Sequence, residues 1–303
     1  MVEPLFVKDH VETLKPYIQK TVDDLLSEMI QNGCDKPIDL VEKFALPVPS
    51  YVIYTILGVP FEDLEYLTQQ NAIRSNGSAT AQEAAAANQE LLNYLANLVD
   101  KRLEEPKDDL ISKLVTEQLT PGHIEKADAV QIAFLLLVAG NATMVSMIAL
   151  GVITLMQNPA QLEELKADPS LVPSFVEELC RYHTGSALAM KRVAKEDIEL
   201  GGKIIRAGEG IIASNQSANR DEDIFPDPDV FNLHRDNGPY DPLGFGFGPH
   251  RCIAEPLAKA ELEIVFETLF KALPDLRVAV PLEEIGYSPR HKDVGVFKLP
   301  VVW

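Results

Sequence analysis

The residues with the clearest chemical potential lie in one stretch, Phe245-Gly246-Phe247-Gly248-Pro249-His250-Arg251-Cys252-Ile253-Ala254. Glycines alternate at 244, 246 and 248, so the backbone can take a tight, bulged path that other residues resist. Cys252 then stands where a helix is expected to begin, and the amides and dipole of a helix N-terminus favour a thiolate over a thiol. A thiolate is a strong donor to haem iron, and backbone N–H groups aimed at the sulfur tune that donation. Phe245 would cover the sulfur side of such a macrocycle, and His250 could reach a propionate. The same residues fit two plainer readings. One is a buried structural cysteine after a glycine loop. The other is a phosphate loop, although neither a βαβ unit nor GxGxxG spacing accompanies the glycines.

Glu178 and Arg181 are three apart on a predicted helix, so they share a face and can pair, either to brace a core or as a solvated pair. The three cysteines, Cys34, Cys180 and Cys252, lie too far apart for a zinc site, and their odd number suits no disulfide framework. A reducing compartment follows as the default.

The elements that must hold these residues are mostly helices. Helical periodicity predicts Asp9–Gln31, Asp39–Leu57, Leu64–Ile73, Ala81–Glu104, Asp108–Glu117, Lys126–Gln157, Pro159–Lys166 and Pro173–Tyr182. After Thr184 the texture changes. Ser186–Ala194, Ile198–Ile205 and Gly210–Ser214 read as short strands, and a Pro- and Asp-rich meander runs from Asp221 to Pro242. A helix from Cys252 to about Leu273 and a tail of strands and turns complete the chain. The fold class is mainly α with a minor β portion, in one domain over 1–303: a helical part, 1–185, and a part, 186–303, with the strands, meander, cysteine loop and following helix.

Composition limits the partners. A net charge of −19 on 303 residues argues against nucleic acid and against anionic lipid. No charged residue occurs between Asp128 and Glu163, but Gln131, Asn141, Thr143, Ser146 and Thr154 interrupt that stretch, so it reads as a long helix through a soluble core. The N-terminus has neither a basic nor an apolar leader region.

The cysteine stretch resembles the haem loop of the cytochrome P450 family, Phe-x-x-Gly-x-His-x-Cys-x-Gly, at each fixed position but the last, where Ala254 replaces glycine. Glu178 and Arg181 are similar to the family's Glu-x-x-Arg pair. Asn219-Arg220-Asp221 through Phe231 looks like its meander, and Ala45–Pro60 resembles its helix ending in Leu-Gly-Val-Pro. The family often places an arginine just before the meander phenylalanine to complete the bracing; here that residue is Val230, and Arg235 is the candidate third partner. The resemblance implies the cytochrome P450 fold, haem b as cofactor and Cys252 as iron ligand. It also implies that family chains carry about a quarter more chain at the N-terminus. That part would hold most of the main sheet and further propionate-binding cations, leaving Arg192 and His250 as the main propionate contacts.

Oxygen-activating members of the family carry an acid before the threonine of their long helix. The corresponding stretch here is Ala139-Gly140-Asn141-Ala142-Thr143, with Ala142 at the acid position. Thr143 either takes part in proton delivery or merely bends the helix by bonding its own backbone. With QSANRDE and LAKAELE, the missing acid resembles the fungal nitric oxide reductase branch. The resemblance implies reduction of two nitric oxide molecules by NADH or NADPH, with no redox partner protein. Thr143, Ser186 and Asp293 would deliver protons, and Arg74 and Lys191 would draw in the dinucleotide pyrophosphate. The alternatives are a monooxygenase fed by external carriers and a truncated, inactive haem binder. The expected location is cytoplasmic, with a mitochondrial form of a longer chain left open.

Overall fold

The computed structural model describes residues 1–75, 79–185, 191–287 and 295–303. The helices are α1 (Lys8–Asn32), α2 (Pro47–Leu57), α3 (Leu64–Ser75), α4 (Ala81–Glu104), α5 (Leu110–Leu114), α6 (Lys126–Gln157), α7 (Pro159–Ala167), α8 (Val172–His183), α9 (Asn215–Ala218) and α10 (Glu255–Ala272). The strands are β1 (Ile38–Asp39), β2 (Lys191–Val193), β3 (Ile198–Leu200), β4 (Lys203–Ile205), β5 (Gly210–Ile212), β6 (Arg277–Val278) and β7 (Pro300–Val302). They form three small antiparallel sheets, ordered β1-β7-β6, β2-β5 and β3-β4. The mainly helical fold with a minor β portion is what the periodicity predicts.

Several boundaries differ from that prediction, each for a local or long-range reason. The stretch 39–57 is not one helix. Ile38–Asp39 is a strand, Val41–Ala45 a π-helical turn, and α2 begins only at Pro47. Proline is at ease at the first position of a helix and disruptive within one. Asp39 is held out of the helix because its Oδ1 accepts from the amides of Val41 and Leu299, both at 3.0 Å. The stretch 108–117 likewise divides into α5 and a π-helical turn over Val115–Leu119. Ile198–Ile205 is a hairpin turned at Gly201–Gly202 rather than one strand. The helix expected at Cys252 starts three residues later, at Glu255.

Helix α6 is the centre of the molecule and packs against α2, α4, α8 and α10. By length and composition it could cross a membrane. Met147 through Leu155 are all buried within the fold, as in a core helix apolar on every side. One continuous apolar core extends from Leu5 to Val301.

That core contains an isolated acid. Glu261 on α10 is only 4% exposed, and its Oε2 has no hydrogen-bond partner. Burial pushes its carboxyl up to about 8 from the ordinary 4.5. The folded state therefore holds this proton more tightly than the unfolded chain. Glu261 contributes stability below about pH 4.5 that is lost as pH rises towards 8. The difference in unfolding free energy between Glu261→Gln and the parent should grow in favour of the variant from pH 5 to pH 8 in denaturant titrations. A difference that does not change with pH would mean that the acid titrates normally.

Candidate haem-thiolate site

The cysteine loop is anchored by its own backbone. The amide of Gly246 donates to Leu243 O at 3.0 Å, that of Arg251 to Gly248 O at 3.0 Å, and that of Cys252 to Phe245 O at 2.8 Å. All three loop glycines are needed for specific reasons. Gly246 and Gly248 have φ +78° and +74°, positive values that side chains resist, and a Cβ on Gly244 would stand 2.7 Å from the Cys180 carbonyl oxygen. Ala254, where the family pattern has glycine, takes φ −92° and ψ 11°, a negative-φ turn conformation that does not call for glycine.

The loop forms part of the wall of a cavity of about 1410 Å³, larger than the roughly 300–1,000 Å³ of a usual small-molecule site. Cys252, Phe245 and His250 line it, as do Val138 through Met147 of α6. Cys180 lines it too, but the two thiols differ. Cys180 is buried and pushed up to about 12 by burial, whereas Cys252 is exposed to the cavity. The amides of Ala254 and Glu255 point at the Cys252 sulfur, as a thiolate ligand requires, yet burial dominates and raises this thiol. The expectation that a helix start would by itself favour the thiolate is therefore corrected. The helix begins beyond the cysteine, and two amides do not offset burial. A coordinated metal cation would reverse that balance, because a ligating thiol is deprotonated outright.

Around the loop the charges are paired among themselves. Arg251 donates to Glu255 at 2.6 and 2.9 Å and to Asp241 at 3.3 Å, and Lys259 bridges Glu177 and Glu255 at 2.5 and 2.8 Å. The Arg251 hydrogen bond leads in pulling the Glu255 carboxyl down to about 2. Lys259 also lies over the Phe245 ring at 5.5 Å, holding that ring at the cavity wall.

Behind the loop, Glu178 and Arg181 form a fully buried bidentate pair at 2.6 and 2.8 Å. Arg235 is the third partner. Its Nε donates to both Glu178 oxygens at 3.0 Å, and its remaining donors take the carbonyls of Pro226, Asp227 and Val230. Arg181 Nη1 takes those of Asn219 and Pro228. Val230 contributes a carbonyl where the family pattern has the arginine itself.

The other candidates divide. Arg74 lines the cavity, with its Nε on Asn71 Oδ1 at 3.2 Å, and burial lowers its pKa from the ordinary 12.5. Thr143 also lines it, and its hydroxyl donates to Ala139 O at 3.1 Å. Lys191 and Arg192 stand on β2, exposed and outside the cavity lining, and Arg192 Nη1 donates to the Lys191 carbonyl at 2.9 Å. The β2–β5 ribbon presents Arg192, the expected propionate contact, on an exposed face. Ser186 and Asp293 lie outside the described residues. Sequence reasoning missed Asn141, which is wholly buried and donates to Ser50 Oγ at 2.9 Å, tying α6 to α2. Its signal was available: a polar side chain inside the uncharged stretch.

The sequence profile of the family described as "Cytochrome P450" matches residues 66–274. The chain belongs to the cytochrome P450 family. Cytochrome P450 55A3 of Fusarium lichenicola is 80% identical to it over 303 residues, covering all of this chain and 74% of the relative. Pentalenic acid synthase of Streptomyces avermitilis is 43% identical over 305 residues, again covering all of this chain and 74% of that protein. Among solved structures, cytochrome P450 MoxA from Nonomuraea recticatena superposes with a TM-score of 0.93 at 41% identity, with 100% of this chain and 74% of that one covered. GfsF superposes at 0.94 and 41% identity, with 100% and 76% covered.

As a cytochrome P450 the protein is a haem-thiolate oxidoreductase, and its residues fit that group. The cavity is large enough, its wall carries an accessible cysteine sulfur with two amides aimed at it, and His250 lines the same wall, where its ring would be within the site of a propionate. Cys252→His should move the Soret band of the reduced carbon monoxide adduct from the red-shifted thiolate position to that of imidazole-ligated haem, whereas Cys180→Ala should leave it in place. An unmoved band in Cys252→His would reject Cys252 as the ligand. Arg235→Met should lower unfolding free energy by about 1.5–3 kcal/mol, the usual worth of hydrogen bonds to a charged group, as read by chemical denaturation.

Proposed function

We propose that this cytochrome P450 reduces nitric oxide to nitrous oxide with electrons taken directly from NADH or NADPH. The observation that carries the reading is Ala142. At the position on α6 where oxygen-activating relatives carry an acid, this chain has a methyl group. Among the described residues the carboxylates lining the cavity are Asp39, Glu42 and Glu284, none of them on α6. Cleavage of an O–O bond depends on acid-assisted protonation beside it. Reduction of nitric oxide by a hydride needs instead that the reductant itself enter. Two nitric oxide molecules, one hydride and one proton give nitrous oxide and water, leaving oxidised dinucleotide. When bound, the haem supplies the redox-active iron for this chemistry.

The chain's own residues serve binding and proton supply. Arg74 remains cationic although half-buried, and its planar fork suits a pyrophosphate. The cavity, at about 1410 Å³, exceeds the size of a usual small-molecule site. The Thr143 hydroxyl donates to Ala139 O and keeps lone pairs to accept a proton-bearing water. In this reading Ser186 and Asp293 complete the proton route.

Haem-loaded protein given nitric oxide and NADH or NADPH, with no other protein, should form nitrous oxide, measured by gas chromatography. Salt should slow the reaction by screening the approach of the dinucleotide. Arg74→Glu should raise the KM for the dinucleotide about tenfold or more, by loss of a charge-assisted contact. Lys191→Glu, outside the cavity, should change mainly the salt dependence. Thr143→Val should slow turnover by about 10²–10⁴-fold, the usual worth of a general acid step. A strict requirement for a flavoprotein would overturn the reading in favour of a monooxygenase.

A further inference from the structure

One wholly buried side chain joins the bracing network to both walls of the cavity. Asn219 follows α9 and has no exposed surface. Its backbone carbonyl accepts from Arg181 Nη1 at 2.8 Å, which ties it to the Glu178–Arg181 pair. Its Oδ1 accepts from the amide of Leu243 at 2.7 Å, at the entrance to the cysteine loop. Its Nδ2 donates to Thr184 Oγ1 at 2.9 Å, and that hydroxyl in turn donates to Arg181 O at 3.0 Å.

Thr184 is conformationally unusual. It is fully buried and β-branched, yet it has φ 50° and ψ 75°. A β-branched residue in the left-handed region persists only where its surroundings over-determine it. Here they do, through the two hydrogen bonds of its hydroxyl. The next residue, Gly185, lines the cavity, and a Cβ built on it would lie 3.8 Å from the Thr143 Cβ and 3.5 Å from the Met147 sulfur. The Asn219–Thr184 contact thus fixes the chain beside Thr143. On the other side, a short relay runs from Leu243, whose carbonyl accepts from Gly246, to Phe245, whose carbonyl accepts from the Cys252 amide at 2.8 Å.

We propose that Asn219 is a positioning residue for the haem thiolate, setting the register of the cysteine loop against the α6 wall through Leu243 on one side and Thr184 on the other. The proposal rests on the haem-thiolate assignment and not on the nitric oxide reading. The amide is the right group for this task. It offers an acceptor to a backbone N–H and a donor to a hydroxyl at once, without adding a charge beside Arg181. Aspartate keeps the acceptor and loses the donor, and leucine loses both.

The test compares Asn219→Leu, Asn219→Asp, Thr184→Ala and the control Gln161→Leu in haem-loaded protein. Gln161 also bonds the backbone of the meander, at Phe231 O and Leu233 N, but among the described residues makes no hydrogen bond to the entrance of the cysteine loop or to Thr184. The readout is the fraction of the reduced carbon monoxide adduct in the red-shifted thiolate band, with far-UV circular dichroism and thermal unfolding recorded alongside. Asn219→Leu should lose at least half of the thiolate band while keeping helical circular dichroism. Asn219→Asp should retain more of it than Asn219→Leu, and Gln161→Leu should retain all of it. A full thiolate band in Asn219→Leu, or equal loss in Gln161→Leu, would overturn the proposal. If Asn219→Leu does not fold, Thr184→Ala decides: a reduced thiolate fraction supports the role, and an unchanged one refutes it.

Discussion

The burial of one carboxylate with two guanidinium groups is the constraint on which the rest of the structure depends. Ions removed from water carry a penalty of several kcal/mol each unless every donor and acceptor is met. Glu178 meets this by accepting from Arg181, Arg235 and the amide of Asn232. The arginines then spend their other N–H groups on carbonyls at Asn219, Pro226, Asp227, Pro228 and Val230. A meander with neither helical nor strand pairing meets only some of its carbonyls by turns, such as Asp221 O, which accepts from the amides of Ile224 and Phe225. The two arginines take several of the others, so the irregular segment is fixed by the same charges that its carbonyls solvate.

The thiolate loop inherits its placement from that unit. It leaves the meander at Pro242, passes against the Cys180 carbonyl where only glycine fits, and closes on the Cys252 amide. Burial raises both thiols that line the cavity, while two amides work against it at Cys252. What the fold prepares is geometry: an accessible sulfur, two amides aimed at it, and surrounding charges already paired. A metal cation bound there would favour the ionised sulfur.

Chemistry in the cavity is then selected by what α6 presents to it. The helix is continuous through Ala139–Thr143, with Asn141 turned into the α2 contact and Ala142 and Thr143 at the cavity wall. A wall with a hydroxyl and no carboxylate, beside a half-buried arginine, suits a reaction whose reductant is an anionic dinucleotide brought into the same space. The acidic surface as a whole would repel that anion, so a cation within the cavity matters more here than on a neutral protein.

The sequence by itself determined the helices, the ligand loop and the bracing pair. Periodicity in α1, α4 and α6 records a local rule, that residues three and four apart share a face. The alternating glycines with Cys252 record a backbone path that few residues can follow. Family resemblance extended this to the haem and to Arg235. Tertiary structure alone decided what depends on partners distant in the chain. Asp39 leaves the predicted helix because the Leu299 amide needs its carboxylate. Lys191 and Arg192 are cofactor contacts by family resemblance alone, and it is the pairing of β2 with β5 that sets where they stand, on an exposed ribbon. Cys180 and Cys252 are one residue type in the sequence, and only packing makes one inert and the other accessible. Asn219 gives no local sign of its reach to Leu243 and Thr184, because a side-chain amide declares its partners only when the chain has folded around it.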